Sequence, residues 1–301
     1  MKHMQEKIPL IVIVGSTASG KSALAEELAG HTSGAIINGD ARQIYRELPI
    51  ITAAPENVAG KFLYSCKSVA DPYSFAQYVV DADAVIARVW AAGQVPIVVG
   101  GTGLYIDALV HRPVTPPQAN TDVRAQVVAM GENGAREFLR AQDPAGYASV
   151  DIHNPRRVAR AVEIFLQTGK SVTEFRGQRS ESPYRVLKIG VGSDVSTEDL
   201  RGRINARIAH MWAGGAVAEV QRAFAAGFTL ADPGMQTIGV PEIARFLAGE
   251  ISEMYARELL ALHTAQYAKR QKTWLKKDSG IVWYTTHDVL WHLVQNFLQQ
   301  N

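Results

Sequence analysis

The sequence predicts an α/β fold in which a parallel sheet is flanked by helices and interrupted by a small all-helical insertion. Short apolar runs alternate with helical patterns over residues 8–110, which is the pattern of a parallel sheet. Residues 112–183 then carry helical patterns with no strand between them, and residues 186–191 supply a further apolar run. The sheet is therefore expected to close around an inserted helical segment.

The first part of the chain contains three predicted strands, at residues 9–14, 35–38 and 96–99. Each is a short apolar run rich in β-branched residues or flanked by glycine and polar residues. Helical spacing of apolar residues predicts the elements that follow, which are helices at 22–29, at 75–92 and from Leu104 onward. Because each strand leads into a helix, neighbouring strands are expected to be parallel.

Two proline-containing stretches bound the insertion. Residues 112–118 hold three prolines, residues 178–184 are polar with one proline, and both predict hinges. Between them lie three predicted helices, at 123–132, 135–142 and 156–169. The chain is thus expected to consist of an α/β core, residues 1–111 with 184–301, and a helical insertion, residues 112–183.

The last part of the chain completes the predicted core. A strand at 186–191 is followed by two long helices, a short strand and a helical tail, at 197–226, 251–277, 281–284 and beyond. Gly227 is expected to end the first of these helices, because glycine is the usual residue just past a helix C-terminus.

Composition excludes several classes of protein. The 301 residues are 47% hydrophobic and 20% charged, which rules out a disordered, collagen-like or coiled-coil chain. No apolar run reaches the roughly 20 residues of a membrane helix, and the short run at 9–14 does not read as a signal peptide. One cysteine, Cys66, allows neither an internal disulfide nor a cysteine-based zinc site. We therefore expect a cytoplasmic protein, and the net charge of +2 leaves the question of a nucleic-acid partner open.

A phosphate-binding motif lies between the first predicted strand and the first predicted helix. It fits the pattern G-x-x-x-x-G-K-[ST] and consists of Gly15, Ser16, Thr17, Ala18, Ser19, Gly20, Lys21 and Ser22. The glycines let backbone N–H groups surround phosphate oxygens, Lys21 supplies a positive charge, and the Ser22 hydroxyl is a ligand for Mg²⁺. The motif predicts a di- or triphosphate site on a P-loop NTPase-like sheet, but it does not select a reaction.

Two more candidate groups are predicted at the same edge of the sheet. Asp40 follows the second strand, and the turn G-G-T-G at 100–103 follows the third. Ligands of open α/β sheets gather at such strand ends. Asp40 is a candidate general base or Mg²⁺ ligand, or alternatively only the N-cap of a helix at 41–45. Because the third strand ends in glycine and not in an acid, a motor or switch ATPase is disfavoured.

The order and spacing of these motifs resemble the tRNA dimethylallyltransferase family. The phosphate loop, the segment D-A-R-Q-I-Y at 40–45 and the segment G-G-T-G-L-Y at 100–105 carry the resemblance first. Three downstream segments are similar to the family as well: R-V-A-R-A-V-E at 157–163, R-I-N-A-R at 203–207 and Q-Y-A-K-R-Q-K-T-W-L at 266–275. The chain departs from the family pattern at Ala41, Ile51, Ala54 and Ala265.

The resemblance implies a reaction. A dimethylallyl group would pass from dimethylallyl diphosphate to N6 of the adenosine that follows the anticodon of tRNA, with release of diphosphate. Four residues would be catalytic by family position and chemistry: Asp40, Thr102, Lys21 and Arg207. Residues 15–22 would bind the diphosphate, with Mg²⁺ as cofactor at Ser22. A monomer of the bacterial type, which has no zinc finger, is expected.

Three regions are expected to bind the anticodon stem-loop of tRNA. They are the sheet edge, the insertion and the basic end of the last long helix, with the residues Asp40, Ala41, Arg42, Gln43, Thr102, Arg124, Arg156, Arg157, Val158, Ala159, Arg160, Lys269 and Arg270. A base splayed out of the loop must reach the donor, so we expect a channel whose meeting point is residues 40–43. Without the resemblance, such a cluster of lysines and arginines would usually be a solvated helix face. Tyr267 and Trp274 are expected to pack against the core.

Three other functions stay open at this point. A small-molecule kinase would use the same phosphate loop, but no second Mg²⁺-binding acid is evident. A prenyltransferase acting on free adenine nucleotides would share Asp40 and the G-G-T-G turn, but it would not need the basic clusters. A non-catalytic RNA-binding protein would not need an intact phosphate loop beside Asp40.

Overall fold

The computed structural model describes residues 7–118, 120–193 and 195–300. Contacts between residues divide the chain into two units, Met1–Val110 with Pro183–Asn301, and His111–Ser182. These bounds lie one residue from the predicted limits of the core and the insertion.

Six strands form one parallel sheet in the described part of the chain. They are β1 (Ile8–Gly15), β2 (Gly34–Asn38), β3 (Lys61–Phe62), β4 (Val95–Gly100), β5 (Tyr184–Val191) and β6 (Ile281–Trp283). Their spatial order is β3-β2-β4-β1-β5-β6, and each neighbouring pair is parallel. The predicted fold class is confirmed, and the carboxyl ends of β2, β4 and β1 lie side by side.

Helices make up most of the remainder. In chain order they are α1 (Lys21–Thr32), α2 (Pro49–Thr52), α3 (Phe75–Ala91), α4 (Gly103–His111), α5 (Thr121–Gln142), α6 (Pro144–Ser149), α7 (Pro155–Thr168), α8 (Val172–Phe175), α9 (Thr197–Ala213), α10 (Ala216–Ala225), α11 (Val240–Leu247), α12 (Glu253–Leu275) and α13 (His287–Gln299). Across the residues that the structure describes, none of these helices is long and apolar enough to span a bilayer.

Side chains of the sheet alternate between two apolar layers. Leu10, Val12 and Val14 of β1 belong to the layer that includes α3 and α4, whereas Ile11 and Ile13 belong to the layer that includes α1 and α13. Successive residues of a strand point to opposite faces, so both faces of β1 are covered. This explains why β1 is an unbroken apolar run in the sequence.

The helix predicted over 197–226 is in fact two helices. The N–H of Gly214 bonds to the carbonyl of His210 at 2.8 Å, and Gly215 has a φ of 96°. A left-handed residue cannot continue a right-handed helix, so α10 begins as a separate element. Helices α9 to α12 then form a third apolar cluster with residues 44–51, which leave the carboxyl end of β2.

The insertion is helical, with an apolar cluster of its own. Val127 of α5 and Val158 of α7 belong to this cluster. Gly131 interrupts α5 with a φ of 65°, which separates the two helices predicted there. The two predicted hinges run beside each other, because the N–H of Val114 bonds to the carbonyl of Gln178 at 2.9 Å.

Candidate active site at the carboxyl edge of the sheet

The phosphate loop runs from β1 into α1. Ala18 and Gly20 have positive φ angles of 62° and 95°, which turn the chain sharply between strand and helix. A Cβ atom on Gly15 would lie 2.4 Å from Oγ of Ser19, so a larger residue does not fit. Gly20 caps α1 with no side-chain hydrogen bond from the described residues. The N–H groups of the first helical turn are thus available to an anion.

Lys21 begins α1 and is half-buried. Its Nζ lies 3.4 Å from the carbonyl oxygen of Ser16. Burial lowers the pKa of Lys21 from its ordinary value; the charge of Asp40 opposes this shift and that of Arg207 adds to it. An anion bound in the loop would favour the ammonium form and relieve that shift.

Asp40 leaves β2 in a turn that the buried Asn38 holds. Oδ1 of Asn38 accepts the N–H of Asp40 at 2.8 Å, and its Nδ2 donates to the carbonyls of Asp40 and Leu63, both at 3.0 Å. Oδ1 of Asp40 accepts the N–H of Arg42 at 2.9 Å. No helix of the described chain begins at residue 41, so the helix-cap alternative is wrong. The carboxylate closes a short Asx turn instead.

Thr102 lies against the same turn. Its Oγ1 accepts the N–H of Ala41 at 3.0 Å. On α12, the side chains of Thr102 and Gln271 act on the hydroxyl of Tyr267 and lower its pKa. Burial, then the charge of Asp40, outweighs them and raises the pKa of Tyr267. Trp274 packs against the core as predicted, but Tyr267 belongs to the site, which corrects the expectation for that residue.

The glycines of the G-G-T-G turn are each required by a close approach. A Cβ atom would lie 2.2 Å from its nearest neighbour at all three, which are the backbone of Gly39 for Gly100, Nε2 of Gln271 for Gly101 and the ring of Trp274 for Gly103. Real Cβ atoms do not approach other atoms so closely. The turn therefore packs directly on Gly39, the residue that follows β2, and on α12.

A cavity of about 320 Å³ joins these groups. Its polar lining consists of Thr17, Asp40, Arg42, Thr52, Arg207, Gln236, Thr237, Thr264, Tyr267 and Arg270, and its apolar lining of Ile51, Ile208, Met211, Ile238 and Leu260. The cavity brings the phosphate loop, the predicted base and the predicted distant arginine together. Its volume is in the range of small-molecule sites, about 300–1,000 Å³, and its largely polar lining suits a charged ligand.

Arg207 reaches the cavity from α9. Its Nη2 donates to the carbonyl of Thr52 at 3.2 Å, and burial lowers its pKa, although a guanidinium stays charged. Thr52 ends α2, whose N–H groups at Ile50 and Ile51 donate to the carboxylate of the buried Glu219 at 2.7 and 2.9 Å. Glu219 thus holds α2 in place, and the Thr52 carbonyl at the end of α2 positions the Arg207 guanidinium.

A second cavity, of about 160 Å³, contains the predicted metal ligand Ser22 and is also lined by Gln43 and Ala53. Nε2 of Gln43 donates to the carbonyls of Thr52 and Ala53 at 3.2 and 2.7 Å. Thr52 lines the first cavity and Ala53 the second. Gln43 belongs to the segment predicted as the meeting point of two substrates. Its side chain therefore holds the backbone that separates the two cavities.

The chain offers few metal ligands of its own. Over the described ranges, no group of three or more histidine, cysteine, aspartate or glutamate side chains is placed to hold a metal ion. The Ser22 hydroxyl is exposed at the start of α1, beside Lys21. Mg²⁺ keeps several waters and binds substrate phosphates readily, so a single hydroxyl here fits an ion that enters with a diphosphate.

The basic end of α12 adjoins the cavity. Lys269 and Arg270 are exposed and line a groove of about 420 Å³. Arg270 also lines the first cavity, and its guanidinium carbon lies 5.7 Å from the ring centre of Tyr267. Arg270 therefore connects a basic surface with the cavity that contains Asp40.

The insertion presents only part of its predicted RNA-binding set. Its exposed members are Arg124, Arg156 and Arg157. Arg160 instead donates to the carbonyls of Pro116 and Pro117 at 3.3 and 2.8 Å, which ties α7 to the first hinge. Val158 is 1% exposed in the core of the insertion, so its assignment as an RNA-contacting side chain is corrected. Ala159 is partly buried beside it.

Three side chains that build the site were not among the predicted site residues: Asn38, Glu219 and Gln271. Asn38 had one usable signal, because a polar residue ends an apolar run there. Gln271 lies in a segment similar to the family, but the partners of Glu219 and Gln271 are about 170 to 250 residues away in sequence. Spacing along the chain does not reveal such contacts.

Comparison with known proteins decides the family. The family model described as IPP transferase matches residues 43–278. The chain belongs to this family. A tRNA dimethylallyltransferase of Geobacter sulfurreducens is 38% identical to it over 92% of each chain, so the resemblance read from the motifs is confirmed and the chain is a transferase of the tRNA dimethylallyltransferase type.

Solved structures of IPP transferases share the fold. The tRNA isopentenylpyrophosphate transferase of Bacillus halodurans covers 97% of this chain, with 96% of its own length, at 29% identity and a TM-score of 0.69. A eukaryotic dimethylallyltransferase acting on tRNA covers 89% of this chain, with 70% of its own length, at 26% identity and a TM-score of 0.78. The sheet and its inserted helices are therefore a family architecture.

One departure from the family pattern is accommodated locally. Ile51 is one of these departures, and it is 4% exposed in the wall of the first cavity. Gly239, with a φ of 107°, faces it: a Cβ there would lie 2.6 Å from Cδ1 of Ile51. The isoleucine thus occupies space that the neighbouring glycine leaves open.

Proposed function

We propose that the chain transfers a dimethylallyl group from dimethylallyl diphosphate to N6 of the adenosine that follows the anticodon in tRNA, and releases diphosphate. The observation that carries the proposal is the cavity lined by Thr17 of the phosphate loop, by Asp40 and by Arg207. It combines an anion site, a carboxylate and a second cation, which suits displacement of a diphosphate by a weakly basic amine. Membership of the IPP transferase family supports the same reaction class.

The proposed step exchanges one bond for another at C1 of the dimethylallyl group. The lone pair of N6 forms the new C–N bond while the C1–O bond breaks, and the electron pair of that bond leaves with diphosphate. N6 gives up one proton as the new bond forms. Holding both reactants in one cavity converts this encounter into a step within a single complex.

Positive groups around the leaving diphosphate lower the barrier to this bond cleavage. The N–H groups at the start of α1, the Lys21 ammonium and the Arg207 guanidinium would all face growing negative charge. Mg²⁺, held by Ser22 and by the diphosphate itself, would neutralise further charge when bound. The lowered pKa of Lys21 would rise again as the diphosphate binds, so the ammonium form is retained during the reaction.

Asp40 is proposed to accept the proton from N6. The exocyclic amine of adenine is a poor nucleophile because its lone pair is delocalised into the ring, so removal of its proton assists the attack. Asn38 fixes the backbone of Asp40 through two hydrogen bonds and is itself anchored by a third, to the carbonyl of Leu63. Thr102 holds the next residue through the N–H of Ala41. The carboxylate is thereby oriented before either substrate arrives.

A tRNA partner is supported by the basic surface that borders the cavity. Lys269 and Arg270 are placed to contact phosphates beside the base that enters, and Arg156 and Arg157 of the insertion are exposed for a similar role. A free nucleotide would not need these groups. The exposed thiol of Cys66 suits the reducing cytoplasm, where we propose that the reaction takes place.

Product analysis tests the proposal. The protein is incubated with Mg²⁺, dimethylallyl diphosphate and either unmodified tRNA or AMP, and the products are analysed by mass spectrometry. We expect a dimethylallyl group on one adenosine of the tRNA anticodon loop. Modification of AMP but not tRNA would favour the free-nucleotide alternative. Formation of ADP from ATP with a small-molecule acceptor, and no prenyl product, would favour the kinase.

A further inference from the structure

Gln271 of α12 links the two loops that carry the reactive groups. Its side chain is buried, with 5% exposed. Its Oε1 accepts the N–H of Thr17 at 2.8 Å and lies 3.3 Å from Oγ1 of the same threonine. Its Nε2 donates to the carbonyl of Gly101 at 3.0 Å. One amide therefore bridges the phosphate loop and the G-G-T-G turn.

The chemistry of this bridge requires an amide. One end of the side chain must accept a hydrogen bond and the other end must donate one, and a buried amide is costly unless both ends are bonded. Glutamate would place an acceptor against the carbonyl of Gly101, and leucine would satisfy neither end. Gly101 is itself shaped for this contact, because a Cβ there would lie 2.2 Å from Nε2.

A second contact from the same helix reinforces the bridge. Tyr267 lies four residues before Gln271, so both side chains are on one face of α12. Tyr267 lines the first cavity, and the side chains of Thr102 and Gln271 both act on its hydroxyl, lowering its pKa. The helix thus contacts Thr17 on the donor side and Thr102 on the acceptor side through two adjacent side chains.

We propose that Gln271 is a positioning residue, which sets the distance between the diphosphate held by the phosphate loop and the amine presented to Asp40. The inference rests on the proposed function, because it concerns the alignment of those two reactants. Apart from Thr17, whose N–H bonds to Gln271, each loop keeps its ligand-binding groups in the variant, since no bond joins Gln271 to Lys21 or Asp40 among the described contacts. Loss of the bridge should therefore affect alignment more than binding of either substrate.

The test compares Gln271→Glu with the exposed Gln295→Glu, which adds the same charge on α13. The transfer rate is measured in a single turnover, with saturating dimethylallyl diphosphate and unmodified tRNA, and donor affinity is measured separately. Misplacement by about 1 Å costs roughly a hundredfold in rate, so we expect at least a roughly tenfold loss in Gln271→Glu. Donor affinity should stay within about threefold, and Gln295→Glu should match the wild type.

Gly101→Ala is the second variant, because it pushes on the amide from the opposite side and leaves Gln271 in place. This variant should also lose transfer rate while its donor affinity stays close to that of the wild type. A full rate in both folded variants, a loss confined to donor affinity, or failure of both variants to fold would overturn the proposal. Failure of the proposed function is recognised separately, because the wild type would then form no prenylated tRNA at all.

Discussion

Asn38→Leu should lower the stability of the protein and the rate of the chemical step, with donor binding little changed. The change keeps the size of the side chain but removes the bond to the N–H of Asp40 and the two bonds to the carbonyls of Asp40 and Leu63. Asn38 is fully buried, so water does not readily replace these partners. At about 0.5–1.5 kcal/mol per bond, the loss is about 1.5–4.5 kcal/mol. This is a large share of a total stability of about 5–15 kcal/mol.

The same substitution should slow catalysis, because Asn38 fixes the backbone from which the Asp40 carboxylate projects. Urea unfolding measures the first effect: with an m value of about 3 kcal/mol/M, a loss of about 3 kcal/mol lowers the midpoint by about 1 M. Single-turnover transfer at saturating substrates measures the second, and we expect a loss of roughly a hundredfold if the carboxylate moves by about 1 Å.

Asn296→Leu is the matched control, because Asn296 is exposed on α13 and far in sequence from the site. It should change neither quantity, apart from the few tenths of a kcal/mol typical of surface changes. Asn38→Leu with the stability and the transfer rate of the wild type would refute the idea that this amide holds Asp40 in place.

Three further predictions follow from single features of the site and surface. Burial lowers the pKa of Lys21 from its ordinary value of 10.5, so the side chain loses its charge below that pH. The affinity for dimethylallyl diphosphate, measured by calorimetry, should therefore fall as the pH rises toward 10.5. Lys21→Met should bind the donor weakly with no such fall, and the same dependence of affinity on pH in both proteins would contradict this. Gly103→Ala should cost about 1–3 kcal/mol in urea unfolding, because its Cβ meets the Trp274 ring, and Trp274→Leu in the same chain should recover part of the loss if that contact is the cause. Arg156→Gln with Arg157→Gln should reduce the salt dependence of tRNA binding, with a slope smaller by roughly 0.7–0.9 for each phosphate that these arginines neutralise, and an unchanged slope would exclude these side chains from the interface.

The parts of the fold that could be predicted are those with strong local signals. The strand before the phosphate loop is an apolar run with both faces buried, and prolines mark both ends of the insertion. The two-residue strand β3 is too short to show any periodicity, and the break at Gly215 depends on one φ angle that apolar spacing cannot register. For these reasons the sequence predicts neither β3 nor the break at Gly215.

The candidate site shows the same division. Asp40, Lys21 and Thr102 could be predicted because they stand at strand ends or in a loop with a recognisable pattern. Gln271 could not, because its importance lies in which buried backbone groups it meets, and the polar end of an apolar run was the one local signal for Asn38. A hydrogen bond between Gln271 and Thr17 spans 254 residues and has no signature in either segment. Motifs therefore predict the side chains that act on ligands, whereas the side chains that hold those groups in place are recognised only in the structure.

Asp40→Asn tests the central claim most directly. Asparagine keeps the size of the side chain and its bond to the N–H of Arg42, but it cannot readily accept a proton. Single-turnover prenyl transfer is measured with saturating tRNA over a series of Mg²⁺ concentrations, alongside donor affinity. We expect the rate of the chemical step to fall strongly at every Mg²⁺ concentration, with donor affinity near that of the wild type. Full activity of the asparagine variant, or its recovery by Mg²⁺ alone, would contradict the assignment of Asp40 as the group that accepts the N6 proton.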